Sequence, residues 1–548
     1  MPRSLRVCLV AGLVSFVVAP ARAQLPTGPS EPLRELVERV RSDPDLRIEG
    51  ESIAARIVLP ELYANRNFAP AWGSAKARDE LLRAVRDSEY DGLDPTDYHA
   101  AALERLRGET EAGAGEDVWL EYDLLQTDAL ARLLYHLIFG KVDPYALSPQ
   151  WNFAREVDRG DPAEFLQKVI DAPSLYSAVE NEKPQHELYR ELRGELARYR
   201  ALREAGGWRE IPPGQTLKPG MRDARVGALR ARLAATGQLA EGAASGAELD
   251  VYDAAVEAGV RAFQAQNGLD ADGAVGAGTL AVLNLPIDAR IAQIEVNLER
   301  ARWLLDEMPP TFVVVNVAGF RVYYVRDNAL VWSGRAQVGK PYRQTPIFRS
   351  VLSYLVLNPT WTVPSGIFAN DILPAQKRDP GYLAKRGLVV VDAQGNRVTT
   401  PIDWATVTPR NFRYLLRQEP GPDNALGRVK FMFPNEYSVY LHDTPSRSLF
   451  EKSDRAFSSG CIRVENPLEL AALLLDRQPG WDRAAIDAAI AKGDTRTVTL
   501  KNKVPVLLSY WTAWVDRDGA LQFRRDLYGR DARVLEALHA PFKLHRRP

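Results

Sequence analysis

From about residue 30 to 205 the chain repeats apolar residues at helical spacing. "EPLRELVERVRSD" and "AKARDELLRAVRDSEYDGLD" each predict an amphipathic helix, the second closing near Gly92. "WLEYDLLQTDALARLLYHLIFGKVD" predicts a more buried helix. His136 falls on its apolar background and reads as a core histidine. The charged residues of this region read as solvated helix faces, with no chemistry among them. A Pro/Gly joint, "REIPPGQTLKPGM", follows. From Arg222 to about Asn284 a compact helical unit places Val226, Leu229 and Leu233 on one face and Val256, Val260 and Phe263 on another. A turn at Asp272-Gly273 precedes its third helix. "IDARIAQIEVNLERARWLLDEMPP" then predicts a helix with Ile291, Ile294, Leu298 and Leu305 on one side, ended by Pro309-Pro310.

At Thr311 the pattern changes to strands. "FVVVNVAGFRVYYVRDNALVWSGRAQVG" shows β-rich runs broken at Ala318-Gly319 and turned at Asp327-Asn328. "SVLSYLVLNPTWTVP" and "YSVYLHD" continue them, and "TVTLKNKVPVLLSYWTAWVDRDGALQFRRD" reads as closing strands with a turn at Asp518-Gly519. Between Pro359 and Glu436 lies a long Pro/Gly-rich insertion with predicted helical pieces such as "TPRNFRYLLRQ". An insertion of this length beside strands that carry chemistry suits a lid. Asn466, Pro467 and Glu469 fit a capping box at the start of "ENPLELAALLLDR".

Charge and cysteine usage narrow the function classes. Acidic and basic residues nearly balance, 71 against 70, so no strong field points to nucleic acid or anionic lipid. The length suggests three or four domains. The start, "MPRSLRVCLVAGLVSFVVAPARAQLP", has the basic, apolar and small-residue order of a secretory signal, with cleavage expected after Ala23. An uncleaved inner-membrane anchor is the alternative. Cleavage would remove Cys8 and leave Cys461 as the one cysteine, unable to form an intrachain disulfide.

A lone exported thiol is a liability unless it is buried or used. Cys461 sits in "RAFSSGCIRVENP", among Ser458, Ser459 and Arg463 rather than the apolar neighbours of a structural cysteine. A nucleophilic cysteine wants a base. His442 in "SVYLHDTP" is the best-placed histidine, whereas His539 and His545 lie in a basic tail and read as solvated. Gly460 allows close approach at a tight turn, where backbone N–H groups suit an oxyanion. One cysteine and one histidine make too few ligands for zinc, so no metal or other cofactor is expected.

These residues carry a resemblance. "YLHDTPSRSLFEKSDRAFSSGCIRVENP" resembles the signature of the L,D-transpeptidases, the YkuD-type catalytic domain: a histidine, a short spacer, then [ST]-x-G-C-[IVL]-[RN]. "VGKPYRQTPIF" and "NPTWTVP" resemble the family's preceding strands. "IAQIEVNLERARWL" and "GPDNALGRVKFMFPN" are similar to its large subgroup. Phe263, Gln264, Gly268, Leu269, Asp272, Gly273, Thr279 and Leu280 resemble the three-helix peptidoglycan-binding module, whose alternative reading is a structural bundle that no longer binds glycan. Ser459 stands where many smaller members have histidine.

The resemblance implies an α+β multidomain chain. Its expected parts are a signal peptide (1–23), a mostly helical scaffold (30–205), a peptidoglycan-binding-like module (217–286) and a connecting helix (287–310). A β-rich catalytic domain (311–530) with its lid insertion (359–436) and a C-terminal tail (531–548) complete it. The implied activity is a cysteine acyltransferase: Cys461 attacks the third residue of a tetrapeptide stem, D-alanine leaves, and an amine resolves the thioester into a 3→3 cross-link. His442 is the implied base, the Asp443 carbonyl its orienter, and the N–H groups of Gly460 and Cys461 the oxyanion donors. Arg463, Ser458, Ser459, Tyr440 and Trp361 are candidates for substrate contact; Arg463 suits a substrate carboxylate or an internal ion pair equally, and Tyr440 and Trp361 suit the core as well as the site. Implied partners are peptidoglycan stems and glycan, other cell-wall synthases and carbapenem-type β-lactams, in the periplasm or cell envelope. Water or a protein lysine as acceptor, or a wall-binding scaffold with a relic site, are the alternatives. A papain-like protease fits less well because there the cysteine precedes its histidine.

Overall fold

The computed structural model describes residues 28–148, 151, 160–240, 242, 248–305 and 308–542. The signal pattern and His545 lie outside them. The chain divides into two compact units: Met1–Asp87, Pro95–Leu134 and Asp158–Glu180 form one, and Ser88–Asp94, Tyr135–Val157 and Asn181–Pro548 the other. No helix among the described residues is long and apolar enough to cross a membrane.

The first unit is helical, as its 3.6-residue periodicity predicts. In Glu31–Ser42 the buried residues are Leu33, Val37 and Val40, and the Ser30 hydroxyl caps the helix by accepting from Leu33 N–H at 3.3 Å. The unit also holds a buried charge cluster that sequence periodicity does not reveal. Asp128 accepts from Ala54 and Ala55 N–H at 2.9 and 2.7 Å, from Arg132 Nε at 2.6 Å, and meets His99 Nε2 at 2.8 Å. Its partners are all internal, which marks it as structural.

In the second unit, helices Arg225–Ala235, Ala254–Gln266 and Ala277–Leu283 bury the two predicted faces, Val226, Leu229 and Leu233 against Val256, Val260 and Phe263. The motif residues have a local reason. Gln264 Nε2 donates to Asp272 Oδ1, Ala274 O and Thr279 Oγ1, while its Oε1 accepts from Gly273 N–H, so one buried amide ties the turn to two helices. The next helix, Ile287–Leu304, stops short of the Pro309-Pro310 pair and is buried along most of its length.

The β region closes on itself. The strands are β1 (Phe312–Asn316), β2 (Arg321–Arg326), β3 (Ala329–Gly339), β4 (Phe348–Leu357), β5 (Val429–Met432), β6 (Leu441–His442), β7 (Ala456–Ser458), β8 (Ile462–Val464) and β9 (Arg496–Ser509). They pair in the order β7-β3-β8-β6-β5-β4-β9-β1-β2, and β2 pairs back to β3. Eight strands thus form a closed barrel with β7 on its flank, which leaves few open edges. Asp327 and Asn328 both take positive φ, 53° and 63°, the backbone that a two-residue hairpin between twisted strands requires. "YSVYLHD" supplies only the two residues of β6; the rest of that stretch is turn and irregular chain.

Three local expectations fail. "TPRNFRYLLRQ" is a turn followed by the strand Leu415–Gln418, not a helix. That strand pairs with Trp361–Thr362 and Leu388–Val391, and Phe412 stacks on Phe368 with ring centres 4.6 Å apart. Pairing and stacking inside the insertion outweigh the local periodicity. Asn466 takes a left-handed φ of 47° and makes no side-chain cap, while Glu469 Oε2 accepts from Trp332 Nε1 at 3.3 Å. The C-terminal segment is not all solvated tail: Asp531–His539 is a helix whose Val534 and Leu538 are buried.

Candidate active site

Strand register assembles the site. Lys430 of β5 lies opposite His442 of β6, His442 opposite Arg463 of β8, and Arg463 opposite Gln337 of β3. Directly paired residues share a face of the sheet, so these four side chains form one row. Cys461 immediately precedes β8 and therefore lies one strand from the imidazole.

His442 is fully enclosed. Its Nδ1–H donates to the Asp443 carbonyl, which can only accept, so Nε2 carries the free lone pair. Burial, then the charges of Arg463 and Lys430, lowers the imidazole pKa to about 3, against the pull of the Asp443 carbonyl. The Asp443 side chain has a separate task, accepting from Arg428 N–H at 2.9 Å. Gly427, at φ +60°, is required there, because a Cβ would come within 2.5 Å of the Asp443 side chain.

Cys461 is a free, partly exposed cysteine. Its Sγ lies 3.8 Å from the Ser438 carbonyl, and no hydrogen bond joins it to His442. Crowding by the surrounding chain raises the thiol pKa, while hydrogen bonds from Tyr440 and the charges of Lys430 and Arg463 act the other way. The resting pair is a thiol beside a neutral imidazole. Such a pair acts through general-base proton transfer at the moment of attack.

The turn before the sulfur is held from several sides. Gly460 takes φ +120°, a backbone that other residues rarely adopt. Its carbonyl accepts from buried Thr345 Oγ1 at 2.8 Å, and Thr345 Oγ1 accepts from Gly339 N–H at 2.9 Å. Tyr528 OH donates to the Gly339 carbonyl at 2.7 Å. Ser458 is turned inward rather than toward a substrate: its hydroxyl accepts from Gly460 N–H at 3.1 Å and donates to the Cys461 carbonyl. The Gly460 N–H expected at an oxyanion is therefore occupied here. The Cys461 N–H has no protein acceptor among the described residues.

The other expected residues separate. The Tyr440 ring meets His442 edge-on, centres 5.6 Å apart, with Lys430 Nζ 4.2 Å from the Tyr440 ring centre. Arg463 forms no ion pair among the described residues; its Nη1 donates to Gln337 Oε1 at 3.2 Å, and its Nε is buried without a partner. Ser459 is exposed and accepts from Arg343 Nη1 at 3.0 Å. Trp361 packs against the insertion's own apolar cluster. Sequence reading missed Lys430, Thr345 and Arg343. A lysine inside the apolar strand "VKFMF" was the one available signal, since a charge there needs a purpose.

Two results follow from the protonation states. Alkylation of Cys461 by iodoacetamide should accelerate with pH through and beyond the ordinary thiol range, and Lys430→Met should slow it at neutral pH by removing a nearby positive charge. A flat rate between about pH 4 and 7 would indicate a preformed thiolate–imidazolium pair instead. The fold should also be acid-sensitive. His442 ordinarily titrates at 6.5 and here near 3, so the unfolded chain takes the proton first. Its contribution to stability is complete above about pH 6.5 and is lost as pH falls toward 3, which denaturant titrations at stepped pH would read.

The Cys461 thiol, just before β8, and the neutral His442 imidazole of the adjoining β6 thus lie at one end of the closed barrel. Residues 310–499 match the model of the L,D-transpeptidase catalytic domain (YkuD). Residues 222–283 match a "Putative peptidoglycan binding domain" and residues 58–196 a "Scaffold domain". A Haemophilus influenzae protein named "Putative L,D-transpeptidase" is 37% identical over 243 residues, covering 44% of this chain and 48% of that protein. The chain thus spans about half the length of this curated relative. Among solved structures, an L,D-transpeptidase from Mycobacterium smegmatis is 14% identical, covering 36% of this chain and 58% of its own, with a TM-score of 0.19. L,D-transpeptidase 1 of Mycobacterium tuberculosis is 16% identical, covering 36% and 61%, with a TM-score of 0.16.

Proposed function

We propose that this protein is a peptidoglycan L,D-transpeptidase working through a Cys461 thioester. The observation that carries the reading is the tautomer of His442, whose Nδ1–H is committed to Asp443 and whose Nε2 is left to accept a proton one strand from the Cys461 thiol. The Cys461 sulfur attacks the carbonyl of the third stem residue, meso-diaminopimelate, while its proton passes to His442. The oxyanion forms beside the Cys461 N–H. Collapse expels D-alanine, which takes the proton from His442, and leaves a thioester. An amine of a neighbouring stem's diaminopimelate then attacks, His442 receives its proton, and the thiol is restored with a 3→3 bond made. Export to the periplasm or envelope is part of the proposal and rests on the N-terminal pattern alone.

The test supplies a disaccharide tetrapeptide alone and then with an acceptor stem, with products followed by mass. Dimers joined between third residues, with D-alanine released, are expected. Tripeptide as the main product even with abundant acceptor would make the protein a carboxypeptidase, and attachment to a protein lysine would make it a ligase. Neither D-alanine release nor transfer would leave a wall-binding scaffold.

Arg343 bears on the choice of acceptor. It pairs with Asp371 of the insertion, Nη2 to Oδ1 at 3.1 Å, and also reaches Ser459 beside the thiol. If the insertion shields the thioester from water, Asp371→Ala should raise the tripeptide-to-dimer ratio severalfold. Stability should change by less than about 1 kcal/mol, because the pair is solvent-exposed. An unchanged product ratio would remove the insertion from the reaction.

A further inference from the structure

A second charged site lies away from the thiol. A cleft of about 350 Å³ opens where the three-helix module meets the Ile287–Leu304 helix and the hairpin of strands Ala513–Val515 and Leu521–Phe523. Its volume falls at the lower end of small-ligand sites. Two of its guanidinium groups are almost wholly buried, Arg232 at 2% and Arg290 at 4% exposure.

All their protein partners are neutral. Arg232 donates from Nε to the Leu283 carbonyl at 2.9 Å and from Nη1 to Thr236 Oγ1 at 2.8 Å, and it lies over Trp208. Arg290 donates to Gln293 Oε1 at 3.0 Å and to Asn267 Oδ1, and it lies over Phe523. Among the described residues no carboxylate pairs with either. The cleft's own acids do not fill the gap. Glu195 is taken by Arg198 at 2.6 Å, and Asp518 is exposed at the hairpin turn. By contrast, Arg300 and Arg302 of the same Ile287–Leu304 helix meet Asp531 and Glu299.

Buried charge without a counter-charge is costly, and an anionic ligand that supplied the missing partner would offset that cost. Burial holds both guanidinium groups down to about 10, and Arg290 adds to the effect at Arg232. Both remain cationic at neutral pH. A guanidinium fork matches a carboxylate in shape and charge. Tyr199, Phe263 and Phe523 supply an apolar wall alongside.

We propose that this cleft binds a carboxylate-bearing peptide, with Arg232 and Arg290 receiving the acid group and the aromatic wall covering its apolar part. The peptide's source, an acidic stem of peptidoglycan, rests on the proposed function; the carboxylate chemistry does not.

The test uses the full chain with Cys461 alkylated. Calorimetry and melting follow the tripeptide L-Ala-γ-D-Glu-meso-diaminopimelate, its fully amidated form, and inorganic phosphate. The tripeptide is expected to bind and to raise the melting temperature, with the amidated form at least about tenfold weaker. Arg232→Met and Arg290→Met should each weaken the tripeptide by about tenfold or more, while the ligand-free melting temperature holds or rises because an unpaired charge is gone. Arg290→Lys keeps the charge and loses the fork, so it should fold and still bind more weakly. Equal binding of the amidated peptide, or tripeptide binding untouched in all three variants, would overturn the proposal. Phosphate binding as tight as the tripeptide would replace the peptide with a simple anion and overturn the assignment of ligand. The unalkylated protein separates the two readings: cross-linking without cleft binding sinks this site alone, and cleft binding without cross-linking sinks the catalytic reading alone.

Discussion

Cys461→Ala is expected to abolish acyl transfer, a loss of about 10⁵-fold or more, as when other covalent nucleophiles are removed. Its effect on stability should stay within about 0.5 kcal/mol, because the side chain is small, partly exposed and bound only weakly to the Ser438 carbonyl. The turn keeps its shape through Ser458, Thr345 and Tyr528, none of which touches the thiol hydrogen. Intact-protein mass after treatment with a carbapenem gives an independent reading. Wild type should gain one adduct and the alanine variant none. A variant that still transfers, or still takes up the adduct undiminished, would place the nucleophile elsewhere.

His442→Ala should cost about 10²–10⁴-fold in acyl transfer, the usual range for a lost general base. Here the fold pays as well. The imidazole is buried and its Nδ1–H satisfies the Asp443 carbonyl, so about 1–3 kcal/mol of stability should go with it. The two losses can be separated by pH. In wild type the His442 contribution disappears as pH falls from 6.5 toward 3, and the variant should lack that part of the acid sensitivity. Activity within tenfold of wild type, alongside the stability loss, would make His442 a structural residue. Direct alkylation of Cys461 at high pH should survive in the variant, since hydroxide can then remove the proton.

The sequence by itself determined the class of architecture and the two residues on which the chemistry is proposed to turn. Its 3.6-residue periodicity named the buried faces of the helices, because burying an apolar stripe requires that spacing whatever the helix packs against. The alternation of the β runs and the Asp327-Asn328 turn were equally local matters. Cys461 and His442 were legible because a thiol with polar neighbours and a histidine ending a strand are chemically conspicuous without a fold. Where competing local and tertiary forces acted, the sequence misled: Phe412 and Leu416 are drawn into the insertion's own core, and "TPRNFRYLLRQ" becomes turn and strand. Only the tertiary structure decided the rest of the site. Strand register, which no short window of sequence contains, set Lys430, His442, Arg463 and Gln337 in one row, where burial first and then the Arg463 and Lys430 charges lower the imidazole pKa. Turn geometry, not residue type, turned Ser458 inward and occupied the Gly460 N–H. The uncompensated pair Arg232 and Arg290 emerged only in three dimensions, since whether a charge has a partner depends on residues far away in the chain.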